Sequence, residues 1–394
     1  MYKRCLSLIS SCLFIVLNVN AQNSSKAKLN LQEIVSDSPV AIDLFQNKVQ
    51  IIVGEVHKSK SATIDIAYSK LGVLDENYFY PASCVKLPVV LLTLEWLNEH
   101  TEEGIDLNTP FEIVSGSSCH SFKSIGESKD DILNIENCIK KILLVSDNRS
   151  YNALFDLLGR DYINSRLKEK GYTKTQIVKS FSGCSDSVLN FKPALNFLNE
   201  KREIVFHLDS IGYAKPIIKL SFDTRVGDSI MIDSVTTIVG SKDFSMNNYL
   251  PLGEGLDMLV ELIYPSHQPK WQLTAKQRQF LMYWMSRYPR ESKIKIYTSG
   301  KQYFDAYKKY LFYGRGEKPI KSDSLRIYNI VGLSYGFATD IAYVKSKSGR
   351  KEYFIAATTY SNVDGVMNDN KYDYETIGFP FLKYLGRKIY NQKK

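Results

Sequence analysis

Metal-ligand spacing is missing from this sequence. Its six cysteines are Cys5, Cys12, Cys84, Cys119, Cys138 and Cys184, and its histidines His57, His100, His120, His207 and His267 are scattered. No metal centre is expected from such spacing. Dense basic blocks are missing too. The formal charge of +9 is spread in single and paired Lys and Arg residues, which argues against nucleic acid as a partner. After Val19 no stretch approaches the ~20 uninterrupted apolar residues of a membrane span.

Met1-Tyr2-Lys3-Arg4 is a short basic start, Leu6 to Val19 an apolar stretch, and Asn20-Ala21 before Gln22 offers small residues for cleavage. Residues 1–21 therefore read as a signal peptide, and the mature chain is expected to be exported to a periplasm-like space. A lipoprotein signal ending at Cys12 is disfavoured, because only a handful of apolar residues precede that cysteine. Cleavage would remove Lys3 and Arg4 and take the formal charge from +9 to +7. With 44% hydrophobic and 12% aromatic residues, residues 22–394 can bury a sizeable core as one large domain or two intimate halves.

Along the chain, Leu29 to Asp43 predicts a first helix. Val49 to Val56 and Ala62 to Tyr68 are β-rich runs joined by a polar turn, a hairpin. Asp131 to Val145, Tyr151 to Leu158 and Asp161 to Lys170 carry helical spacing, the last two closed by Gly159 and Gly171. From about 173 to 239, short β-leaning pieces such as Ser229-Ile230-Met231-Ile232 predict an insertion. Leu256 to Ile263, Ala275 to Ser286 and Tyr303 to Tyr313 predict helices. Ile327 to Leu333, Phe337 to Val344 and Tyr353 to Tyr360 predict strands, and Phe381 to Tyr390 a closing helix. Strands at both ends with helices between imply an α/β fold, in which an antiparallel sheet of N- and C-terminal strands is flanked by helices and joined to a mostly helical lobe. The sheet part is expected over about 29–82 and 275–394, the lobe over about 83–274.

Candidate chemistry concentrates at Phe79-Tyr80-Pro81-Ala82-Ser83-Cys84-Val85-Lys86-Leu87-Pro88. The run that follows to Leu97 is apolar on nearly every face, so its helix belongs inside the protein, with Ser83 at the cap or in the first turn. Lys86 stands at i+3, which brings its amine beside the Ser83 hydroxyl. A hydroxyl becomes nucleophilic when a base takes its proton, and an amine in an apolar pocket loses enough basicity to serve. Ser-x-x-Lys also occurs at Ser25/Lys28, Ser165/Lys168, Ser292/Lys295 and Ser348/Lys351, all in polar stretches. At Ser83 the competing reading is an ordinary capping serine followed by a snorkelling lysine.

Three elements then stand in order: Ser83-Cys84-Val85-Lys86, Ser146-Asp147-Asn148 at a helix end, and Val331-Gly332 on a strand, with Thr339-Asp340-Ile341-Ala342 after it. In this order the chain resembles the penicillin-recognising serine hydrolases, class A β-lactamases in particular, whose signatures are SxxK, SDN and KTG. Its nearest likeness is to exported members from Bacteroides-type bacteria. Phe244 to Ile263 also resembles the helix that follows their deacylation loop. The resemblance implies Ser83 as the acylated nucleophile, Lys86 as its proton partner and Ser146 as a proton relay to the leaving nitrogen. It further implies Asn148 as a contact to the substrate's amide side chain. The backbone N–H groups of Ser83 and of Leu333, the residue after Gly332, would form an oxyanion hole. No cofactor is implied, and the implied partner of a monomeric enzyme is a small-molecule or peptide-like acyl substrate.

Two positions depart from that pattern. Aligning Arg326 to Gly332 with the KTG strand puts Ile330 where the lysine stands and Val331 where Thr or Ser stands, and neither binds a carboxylate. Lys347-Ser348-Gly349 falls in a turn between strands and Thr298-Ser299-Gly300 precedes a helix, so both are set aside. The deacylating glutamate of class A enzymes, in a Glu-x-x-Leu-Asn pattern, has its nearest match in Asp186-Ser187-Val188-Leu189-Asn190, where a surface turn is the competing reading. Three functions remain. Ser83 opens β-lactams, or it serves a cell-wall D,D-peptidase or esterase, or the chain is a binding protein that keeps the pocket without turnover, as Ile330 favours.

Overall fold

β-branched and aromatic residues are concentrated near the two ends of the chain, and there they pair with each other. The computed structural model describes residues 29–59, 64–74, 77–114, 129–181, 190–233, 236–299, 302–320 and 324–392. Its main sheet has five antiparallel strands in the order Leu325–Ser334, Phe337–Ser346, Glu352–Tyr360, Gln50–Lys58 and Ile64–Leu71. Closure is non-local, because Ile52 of the first strand in sequence stands opposite Ala356 of the last long one. Tyr335 and Gly336, at φ 53° and 81°, join two of these strands in a two-residue turn, the conformation that matches strand twist.

The sheet buries both faces. One packs against the helices Lys86–Glu99 and Leu252–Ile263, the other against the closing helix Phe379–Asn391 and the short helix Leu31–Ser36. The helical lobe adds Ile135–Val145, Asn148–Leu158 and Arg160–Glu169. Gly159 and Gly171 end the last two at φ 78° and 85°, a backbone region where glycine pays no Cβ penalty. An antiparallel sheet of terminal strands with flanking helices and a helical lobe is thus the observed architecture.

Four expectations need correction. The first helix covers only Leu31–Ser36, capped by Asn30; Pro39 pushes Ser38 out of the helical region and stops it. Within Phe244 to Ile263, only Leu252–Ile263 is helical. The β-leaning insertion is a set of small ribbons that borrows partners from outside itself. Leu195–Leu198 pairs with Phe111–Ile113, and Ser229–Met231 with Val366–Met367. Tyr303 to Tyr313 is not a helix. Only Tyr310–Tyr313 is assigned helical, and within it Leu311 and Phe312 have non-helical angles. The cause is tertiary: the Leu311 N–H donates to Asp340 Oδ2 at 3.0 Å instead of closing a helical turn.

Candidate active site

The helix Lys86–Glu99 is buried along almost its whole length, from Lys86 to Leu97. Few polar groups interrupt it, and each has a partner. Thr93 Oγ1 donates to Val89 O at 2.8 Å, and Glu95 pairs with Lys170 Nζ at 2.8 Å. Each buried Leu or Val contributes about 1.5–3 kcal/mol, so the apolar face can offset the cost of burying Lys86 at its start.

Ser83 lies in a 3-10 turn, Ala82–Val85, that leads into this helix. Ala82 has φ 44°, a strained conformation for a residue with a Cβ and of the kind that collects at functional sites. No side-chain cap bond is made at the turn, so the capping reading of Ser83 does not apply. Gly332 passes directly against the turn. A Cβ there would overlap the Pro81 carbonyl oxygen and stand 3.1 Å from Cys84 Sγ, so only glycine lets the strand come this close. Leu333 follows it on the strand and is half-buried.

Lys86 is 0% exposed. Its Nζ donates to Ser146 O at 2.5 Å, Ser146 Oγ at 3.2 Å and Asn148 Oδ1 at 2.6 Å, with the Phe181 and Tyr151 rings 5.1 and 5.9 Å away. Burial pushes its amine down to about 7; Asp147 opposes the shift and Lys308 adds to it. The i+3 spacing predicts the amine beside Ser83. The structure instead engages it with the Ser146 turn, and no Ser83 hydroxyl bond to Lys86 or Ser146 is present among the described residues.

The Ser146 turn has two structural duties of its own. Ser146, at φ 59°, is the C-cap of Ile135–Val145, and Asp147 caps the next helix by accepting from Ser150 N at 2.7 Å. Capping fixes the turn, and the fixed turn holds the Ser146 hydroxyl and the Asn148 amide on the same amine. Structure thus brings Lys86, Ser146 and Asn148 together and sets Gly332 against Pro81 and Cys84 of the turn that carries Ser83.

Ile330 is 0% exposed, in the core cluster that also contains Ile341. Lys347, Ser348 and Gly349 sit exposed between strands. Asp186 lies outside the described residues, as do residues 1–28. Cys84 is a free, buried thiol pushed well up by burial, so it stays protonated beside the serine.

A buried polar group next to the site was missed by sequence reasoning. Lys308, Lys309, Asn329 and Asp340 are each 4% exposed or less, and Asn329 Nδ2 donates to Asp340 Oδ1 at 2.8 Å. Its signal was a carboxylate inside the apolar strand Phe337–Ser346, which has to find partners when buried.

Residues 46–203 match the Beta-lactamase enzyme family (Beta-lactamase2). Comparison with curated proteins gives no match. Among solved structures, a representative class A β-lactamase from Bacteroides cellulosilyticus DSM 14838 is similar at 14% identity and TM-score 0.46, over 92% of this chain and 95% of that one. A β-lactamase from Sphaerobacter thermophilus DSM 20745 is similar at 11% identity and TM-score 0.48, over 91% and 94%. A class A β-lactamase from Mycobacterium abscessus is similar at 12% identity and TM-score 0.47, over 91% and 96%. The family match runs from just before the first sheet strand through the Ser83 turn and the Ser146 turn, and over these residues the chain is similar to the Beta-lactamase enzyme family.

Proposed function

We propose that the protein is a serine hydrolase that forms an acyl-enzyme through Ser83, with the amide of a β-lactam ring as the bond opened and slow turnover. The observation that carries this reading is the Lys86 amine, buried, lowered to about 7 and bonded to Ser146 Oγ and Asn148 Oδ1. An amine near neutrality accepts a proton readily.

Lys86 takes the Ser83 proton as Ser83 Oγ attacks the carbonyl carbon. When the C–N bond breaks, the nitrogen takes the Ser146 hydroxyl proton, and Ser146 recovers one from the Lys86 ammonium. Water then hydrolyses the ester, releasing the acid and the free serine. The N–H groups of Ser83 and Leu333 are the donors assigned to the tetrahedral oxyanion. To act, Lys86 has to exchange its Asn148 bond for one to Ser83, which slows the first step. We assign the enzyme as an exported monomer.

A second reading, an esterase or D,D-peptidase with the same nucleophile, is favoured by Ile330, which puts no cation for a substrate carboxylate at that position of the strand. Intact-mass measurement after incubation with a penicillin and with an uncharged ester tests both. A one-to-one adduct with the penicillin, absent in Ser83→Ala, supports β-lactam acylation. An adduct with the ester alone moves the assignment to the second reading, and none with either overturns the nucleophile.

A further inference from the structure

Lys242 is half-buried on the short strand Lys242–Asp243, and the acylation scheme does not use it. Its Nζ stands 5.2 Å from the centre of the Tyr335 ring and 5.7 Å from that of Phe244. Tyr335 follows Leu333 by two residues, and Tyr80 precedes Ser83 by three. The rings of Tyr80, Phe244 and Tyr335 lie 5.1 Å from one another in every pair. Tyr335 is half-buried, with Tyr80 and Phe244 buried behind it. One ring cluster thus joins the nucleophile's turn to the end of the Leu333 strand, and an amine lies over it.

That amine has no anion of its own. No carboxylate pairs with Lys242 among the described residues, and the charge that bears on it is a second cation, Lys179. Asp243, next in sequence, is engaged elsewhere: it accepts from Thr224 Oγ1 at 3.0 Å and Ser245 N at 2.8 Å and pairs with Lys219 at 3.6 Å. Aromatic faces attract one cation, but they do nothing for the repulsion between two.

Hydrogen bonds bring Lys179 to the same side. Its N–H donates to Asn248 Oδ1 and its carbonyl accepts from Asn248 Nδ2, each at 2.9 Å, which clamps its segment to that of Phe244. Phe181, two residues on, has its ring 5.1 Å from Lys86 Nζ. Asn152 holds Phe181, accepting from its N–H at 2.8 Å and donating to its carbonyl at 3.2 Å. Asn152 stands one helical turn after Asn148, the residue assigned to the substrate's amide side chain.

We infer that the acyl portion of the substrate carries an anionic group, which Lys242 binds beside the Tyr335 ring. The inference rests on Ser83 being the nucleophile. Three groups sit on the attacked carbonyl carbon. The oxygen goes to the N–H groups of Ser83 and Leu333, and the leaving nitrogen goes to Ser146. The acyl chain is left with the side that runs past Asn148 towards Phe181, Lys179 and Lys242. A carboxylate there makes a charge-assisted bond to the amine and relieves the repulsion between the two lysines. Ile330 withdraws a cation from the strand, and Lys242 supplies one from elsewhere, so the acid recognised belongs to the part retained as acyl-enzyme.

The test compares acylation by two penicillins, one with a benzyl side chain and one with a carboxylate added on its benzylic carbon, followed by intact mass. The carboxylate form is expected to acylate the natural protein about 10-fold faster. The ratio falls to about one in Lys242→Gln and is kept in Lys242→Arg, which retains the charge. A merely structural role for Lys242 would slow both penicillins alike, so a ratio near one in the natural protein, or one that survives Lys242→Gln, overturns the inference. Should Lys242→Gln fail to fold, the natural protein decides: raising the salt to about 1 M narrows the ratio by screening, and a ratio indifferent to salt overturns the inference. If neither penicillin forms an adduct, the Ser83 reading fails, and calorimetry with phenylmalonate and phenylacetamide decides for Lys242. Tighter binding of phenylmalonate, lost in Lys242→Gln, keeps Lys242 as an anion site; equal or absent binding overturns it.

Discussion

Gly332 lies so close to Pro81 that the strand can pass the Ser83 turn only without a side chain. This contact sets the spacing between the nucleophile's turn and the strand that carries Leu333. Gly332→Ala is expected to destabilise the protein by about 1–3 kcal/mol through overpacking, and to reduce acylation by more than the lost folded fraction. Urea unfolding and adduct formation are measured together; a variant with natural stability and rate would show that the contact constrains nothing.

Ser83→Ala is expected to abolish the acyl adduct with the melting temperature nearly unchanged. The Ser83 side chain makes no cap bond, so even the ~1 kcal/mol of a lost cap does not apply. A fall of many degrees would mean that the hydroxyl supports the turn after all.

Stability is expected to rise between pH 7.5 and 8.5. Lys86, Lys308 and Lys309 are lowered to about 7 by burial, below the value near 10.5 of an unfolded lysine. Across that window the unfolded chain binds more protons, so raising the pH stabilises the fold. Asp340, raised to about 7 by burial, has lost its contribution by then. Cys84 and Cys138, held protonated by burial, and the raised tyrosines such as Tyr213 and Tyr353 oppose the rise once their unfolded counterparts begin to titrate, at about 8.5 for a thiol and about 10 for a phenol, and so close the window. Urea midpoints across the window check the slope; a flat or falling series would mean that these amines are solvated.

Ile330→Lys is expected to harm the protein, not to repair it. The site is completely buried in the core, and an amine placed there without partners costs about 2–7 kcal/mol. The melting temperature should fall with no gain in penicillin acylation. Faster acylation in a stable variant would show that the lysine reaches the cleft.

Lys170→Met is expected to cost about 3–5 kcal/mol, because it leaves Glu95 buried without its cation. Glu95 is 1% exposed, and beside Lys170 it accepts from the Gln272 N–H at 2.5 Å. Glu95→Gln in the Lys170→Met background should recover part of the loss, and no recovery would remove the ion pair as the cause.

Much of the fold was legible because it obeys local rules. The strands Leu325–Ser334, Phe337–Ser346 and Glu352–Tyr360 are apolar runs broken by turn residues, and the helix Ala275–Ser286 has its Thr274 and Gln277 capping box. Tyr303 to Tyr313 was misread because its helical spacing is local, while Lys308 bonds a carbonyl 165 residues away. Periodicity carries no record of such a partner.

The sequence by itself determined the order of the chemical groups, Ser83 with Lys86, then Ser146 and Asn148, then Gly332, and the burial of the helix that begins at Lys86. It did so because apolar patterning and turn residues act over a few positions. Only the tertiary structure decided that Lys86 turns to Ser146 and Asn148, that Ile330 is packed in the core, and that Lys308 stands at the Ser146 helix. A buried charge takes its partners from whatever part of the chain the fold brings within reach, and that choice is made in space.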